Sequence, residues 1–99
     1  MPRKLTSDEI LREVEDKKDE LNSYGVRKIG LFGSFQKGQP NNRSDLDFIV
    51  SLRKSSFDNY MGVRSLLEKL FGRKIDLVTE KALKPRLRYI KDEALYARL

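Results

Sequence analysis

Two aspartates separated by one residue, Asp45 and Asp47, open the apolar run Leu46, Phe48, Ile49, Val50, and a glycine-serine pair, Gly33-Ser34, ends an earlier apolar run of Ile29, Leu31 and Phe32. On an extended strand, residues i and i+2 face the same way, so the spacing predicts that Asp45 and Asp47 project together while Leu46, Phe48 and Val50 enter a core. Two carboxylates whose Cα atoms lie about 7 Å apart repel by roughly 2 kcal/mol at an effective dielectric of 20. A divalent cation removes that cost, because a hard ion such as Mg²⁺ takes carboxylate oxygens and leaves other positions to water and phosphate. Gly33 lets the backbone turn where a Cβ would obstruct an anion, and Ser34 offers an N–H and a hydroxyl to it. Strand, glycine turn, loop and acid-bearing strand thus combine an anion seat with a metal clamp.

A third acid, Asp76, interrupts the run Ile75, Leu77, Val78. An acid in a strand is costly unless a cation or donors meet it. Either it stands at a sheet edge beside a lysine or arginine, or it faces the same centre as the first two. The chain has no cysteine, histidine or tryptophan. That excludes thiolate or imidazole metal sites, Ser-His triads and disulfides, and leaves base chemistry to carboxylates or solvent.

The run Gly33-Ser34, ten residues, Asp45-x-Asp47, with Gly38 inside and Ser44 before the first acid, resembles the signature of the polymerase-beta-type nucleotidyltransferases, and in particular the minimal nucleotidyltransferase (MNT) proteins. A chance match of all six positions is on the order of 10⁻⁷ per starting point at average residue frequencies. Arg88, Tyr89, Ile90, Glu93, Ala94 and Tyr96 are similar to the tail of many MNT proteins. The resemblance implies that Gly33 and Ser34 hold the triphosphate of ATP, with Lys37 and Ser44 in the same loop. It also implies that Asp45, Asp47 and Asp76 bind two Mg²⁺ ions and carry catalysis. Where many MNT loops have Ala-Arg-Gly, this chain has Gln36-Lys37-Gly38, which keeps the charge and loses the bidentate fork. By the same resemblance the protein is the antitoxin of a pair whose partner is a HEPN-type toxin, and it moves AMP onto a toxin tyrosine.

The elements that must position these residues are legible in the pattern. Thr6-Ser7-Asp8-Glu9 reads as a capping box that starts a helix running to about Asn22, with Ile10, Leu11, Val14 and Leu21 on one stripe. Val26 to Phe32 reads as a first strand, 33 to 44 as a loop and Asp45 to Leu52 as a second strand. Residues 57 to 71 read as a helix capped by Ser56 and stopped at Gly72, long enough to cross to a third strand over 74 to 79. Pro85 suits the first turn of a last helix carrying Leu87, Ile90 and Ala94. The expected fold is α/β, a mixed sheet with helices packed on it, in one nucleotidyltransferase domain spanning residues 1–99.

Ninety-nine residues suffice for one core and leave no room for a separate acceptor domain, so the acceptor is expected on another protein. The net charge of +6 is concentrated late, with six basic and two acidic residues between 81 and 99. Such a face suits a nucleoside triphosphate or an acidic protein, and it also admits nucleic acid, the less favoured partner. With no long apolar run, a cytoplasmic protein without membrane partners is expected. The competing class is a non-catalytic module that binds nucleotide or partner and neutralises or scaffolds it.

Overall fold

The computed structural model describes residues 6–33 and 46–99. Helix α1 (Ser7–Asp16) starts where Thr6 Oγ1 accepts the Glu9 N–H at 3.2 Å, and its buried face is Ile10 and Val14. Ten residues are too few for a stable isolated helix, so burial holds it, each such side chain contributing about 1.5–3 kcal/mol. The expected single helix is in fact two. Lys17 leaves helical geometry (φ −103°, ψ 18°), its N–H turned back to the Val14 carbonyl, and α2 (Lys18–Ser23) follows with Leu21 buried. Leu21 joins Ile10 and Val14 in one cluster.

Strand β1 (Val26–Phe32) pairs antiparallel with β2 (Leu46–Leu52), with an irregularity between Val26 and Lys28. Helix α3 (Phe57–Phe71) is capped as expected, Ser56 Oγ accepting the Asn59 N–H at 3.1 Å and Gly72 turning left-handed after the last turn. It carries the chain to β3 (Ile75–Thr79), which lies parallel to β2, a connection that only a crossover of this length permits. The Tyr60 hydroxyl donates to the Leu77 carbonyl at 2.6 Å and ties α3 to the strand it delivers. One sheet face, with Ile29, Leu31, Phe48, Val50, Ile75 and Leu77, packs against the helical residues Ile10, Val14, Leu21, Val63 and Leu67. Phe48 stacks on Phe71 at 6.0 Å.

After β3 the chain crosses to the opposite edge of the sheet, whose order is β3-β2-β1-β4. The continuous last helix expected from Pro85 does not form. Two 3₁₀ turns, Glu80–Ala82 and Pro85–Leu87, precede a short α4 (Tyr89–Glu93), and a two-residue β4 (Leu95–Tyr96) pairs antiparallel with β1. Three strand spacings are about 14 Å, whereas twelve helical residues would extend about 18 Å, so a broken path fits the crossing. The result is the expected α/β arrangement, a mixed four-stranded sheet with helices packed on it. No helix among the described residues is long and apolar enough to cross a membrane.

Candidate active site

Register decides which side chains share the sheet face opposite the core. Phe32 pairs with Asp47 across β1 and β2, and Asp47 pairs with Asp76 across β2 and β3. Paired residues on neighbouring strands face the same way, so Phe32, Asp47 and Asp76 form one rung across three strands. Asp47 is half-buried and Asp76 is exposed. Neighbouring strands are about 4.8 Å apart, a separation at which two carboxylates repel by roughly 1 kcal/mol in water and about 3 kcal/mol at an effective dielectric of 20. The exposure of Asp76 favours the lower figure. Strand β3 is an edge, not a central strand, which is why an acid there is inexpensive to hold.

Gly33 follows Phe32 at the end of β1, with φ +81°. A Cβ built there would run into Oδ2 of Asp47 and stand 3.1 Å from its Cγ. Glycine is therefore required twice, by backbone conformation and by the carboxylate packed against it. Among the described residues no group of three His, Cys, Asp or Glu side chains gathers; Asp47 and Asp76 share a rung by register. The remaining expected residues, Ser34, Lys37, Ser44 and Asp45, lie outside the described residues. The donors present are hard oxygens only, and two of them converge on one rung, a set that suits Mg²⁺ and does not suit a soft ion.

The next rung along is covered. Gly30 pairs with Ile49 on one side and Tyr96 on the other, and a Cβ at Gly30 would approach Tyr96 Cδ1 to 3.0 Å and Ala94 Cβ to 3.1 Å. Ala94 and Tyr96 thus lie on the acid-bearing face and Ile49 is buried there, so the described face opens at the acids and closes one layer below them. The Tyr96 hydroxyl donates to the Lys91 carbonyl at 2.8 Å. Burial, and then the charges of Glu80 and Asp92, push its pKa up from the ordinary tyrosine value.

Phe32 is a site residue that the sequence reading does not assign; the alternation Lys28, Gly30, Phe32 is the signal that places it on the face of Asp47. Tyr96 enters the sequence reading only through the resemblance of the tail, because a two-residue strand has no readable period.

Residues 8–98 match the nucleotidyltransferase domain family. The chain is 37% identical over 82 residues to the protein adenylyltransferase MntA of Thermococcus cleftensis, covering 81% of this chain and 83% of that one. A solved structure described provisionally as a minimal nucleotidyltransferase superposes with a TM-score of 0.69 at 28% identity, over 86% of this chain and 93% of that chain. A chain from the complex of a tri-AMPylated Shewanella oneidensis HEPN toxin with MNT antitoxin shares the fold, with a TM-score of 0.52 at 20% identity over 78% of this chain and 61% of that one. An open rung of acids beside an obligatory glycine, on the fold and sequence of these relatives, makes this chain a nucleotidyltransferase-domain protein of the minimal, protein-adenylyltransferase type.

Proposed function

We propose that this protein is a Mg²⁺-dependent adenylyltransferase that moves AMP from ATP to a hydroxyl of a partner protein, a tyrosine of a HEPN-type toxin, and neutralises that toxin. The observation that carries the reading is the rung joining Asp47 to Asp76 with Gly33 against it. The acceptor hydroxyl oxygen forms a bond to the α-phosphorus of ATP, the bond from that phosphorus to the bridging oxygen breaks, and pyrophosphate leaves with the electron pair. Asp76, exposed and on the acid face, accepts the hydroxyl proton. Asp47, positioned by its packing against Gly33, and Asp45 with it, would hold Mg²⁺ together with Asp76. The ion supplies positive charge against the phosphate oxygens when bound. Gly33, Ser34, Lys37 and Ser44 hold the triphosphate, and residues 1–99 act as one nucleotidyltransferase domain. The setting is the cytoplasm, where ATP and Mg²⁺ are abundant.

The relatives support this reading through what their names state: MntA is a protein adenylyltransferase, and the structural neighbour pairs an MNT antitoxin with an AMPylated HEPN toxin. The test is co-expression with a candidate HEPN-type toxin followed by intact-mass analysis. The toxin should gain one adenylyl group or a multiple of it, and the gain should disappear in Asp47→Asn and Asp76→Asn. An unmodified toxin that is nevertheless neutralised would instead establish the non-catalytic module.

A further inference from the structure

On the β3 edge, away from the acids, the structure holds a second concave surface. It is a groove of about 810 Å³ between the start of α3, strand β3 and the two 3₁₀ turns. Its floor and banks include Phe57, Leu77, Leu83 and Leu87. Phe57 is 76% exposed at the rim, an apolar ring presented to solvent at the mouth of an apolar cleft. Among the described residues, the charged ones that line the groove are all basic, Lys81, Lys84 and Arg86. The carboxylate nearest them in sequence, Glu80, is turned to Lys91 at 4.0 Å and does not line it.

We propose that this groove docks an acidic, amphipathic helix of a partner protein. The proposal rests on the function above only for which protein carries the helix; the surface stands on its own observations. Charge fixes the sign of the occupant. Three cations, with no carboxylate among the described lining residues, favour a segment rich in Asp and Glu and disfavour a basic one. The edge geometry fixes its form. Lys74 turns its carbonyl to β2, accepting from the Leu46 N–H at 3.3 Å, and carbonyls alternate along a strand, so that of Leu77 faces outward. That outward acceptor is already taken by the Tyr60 hydroxyl at 2.6 Å. The edge is therefore a poor template for an added strand, whereas an apolar channel with a protruding aromatic ring receives side chains spaced along one face of a helix. Phe57, standing at the rim of the cleft, would remain largely exposed beside a nucleotide but would be covered by a macromolecule.

The groove also reaches the chemistry. Val78, on the same face as Asp76 and two residues along the strand, is part of its lining, which places one lip about 7 Å from the acid rung. A helix seated there holds its own chain beside the acids without occupying them.

Fluorescence anisotropy tests this with two labelled synthetic helical peptides that share one leucine stripe, one filled with glutamate and the other with lysine at the remaining positions. The protein is used whole, as wild type, as the triple variant Lys81→Glu/Lys84→Glu/Arg86→Glu, as Phe57→Ser and as Asp47→Asn, with circular dichroism confirming that each is folded. The glutamate peptide should bind about tenfold or more tightly than the lysine peptide, weaken with salt, and lose about tenfold or more in the triple variant and in Phe57→Ser. Asp47→Asn should bind it as wild type does. Equal affinity for both peptides, or undiminished binding by the triple variant, overturns the proposal. So does a single-stranded RNA or ATP that displaces the glutamate peptide and depends on the same three cations. Because binding is read without nucleotide, failure of adenylyl transfer and failure of docking are separate results.

Discussion

The carboxylate of Asp47 fills the volume in which a side chain on residue 33 would have to stand. Gly33→Ala therefore carries two penalties, a left-handed backbone costing about 1–2 kcal/mol and displacement of the acid itself. Mg²⁺-dependent ATP binding by calorimetry should fall about tenfold or more. Gly72→Ala is the matched control: it also has positive φ, at +61°, but nothing within 4 Å of its Cβ position. It should lower the melting temperature comparably and leave ATP binding unchanged.

Replacing Asp76 separates chemistry from stability. It is exposed on an edge strand and shares its rung with Asp47, so Asp76→Asn removes a repulsion and no packing. Without divalent ions, urea denaturation should show stability unchanged or raised by less than about 1 kcal/mol. Adenylyl transfer should fall roughly 10²-fold or more, the scale expected for loss of a proton acceptor. A strongly destabilised but active variant would contradict the assignment.

Tyr60→Phe deletes the hydroxyl that satisfies the Leu77 carbonyl. The expected loss is about 0.5–1.5 kcal/mol in urea denaturation, the net worth of one hydrogen bond. Transfer activity per folded molecule should be unchanged, since the ring still packs against the core.

Tyr96 gives an alkaline signature. Its pKa is raised by burial and by Glu80 and Asp92, so the folded state holds the proton to higher pH than the unfolded chain does. The hydroxyl's contribution, donated to the Lys91 carbonyl, is fully present below the unfolded value near pH 10 and is lost as pH rises through the folded value. The stability difference between wild type and Tyr96→Phe should accordingly be flat from about pH 7 to 9 and shrink above about pH 10. Denaturation curves at fixed salt would check it.

Local signals carried most of what the sequence revealed. The caps at Thr6, Ser56 and Gly72, the α3 stripe and the three longer strands are all written in short-range pattern, and the structure has them. The break at Lys17 is not legible, because no glycine or proline marks it and the stripe of Ile10, Val14 and Leu21 runs on across it. The last helix failed for another reason: Leu87, Ile90 and Ala94 are spaced for a helix, but the width of the sheet sets the path. At the site, the residues alone left Asp76 either at a sheet edge or facing the earlier acids, and the family resemblance implied the second. Register puts it on an edge strand and on one rung with Asp47, and Asp45 lies outside the described residues. The basic excess late in the chain was visible as charge, while the cleft it borders arises only when the turns after β3 fold against α3.

The irregularity between Val26 and Lys28 has a consequence for how the chain tolerates change. Val26 and Ile29 both reach the core although three positions separate them, which strict alternation forbids; Arg27 is the surplus residue that absorbs the mismatch. Length variation at this point is therefore uncoupled from aim: deleting Arg27 would leave Val26 and Gly33 facing as they do now. One residue added or removed between Ile29 and Phe32 has no such slack, and it would swing the end of the strand half a turn and point the glycine away from its acid.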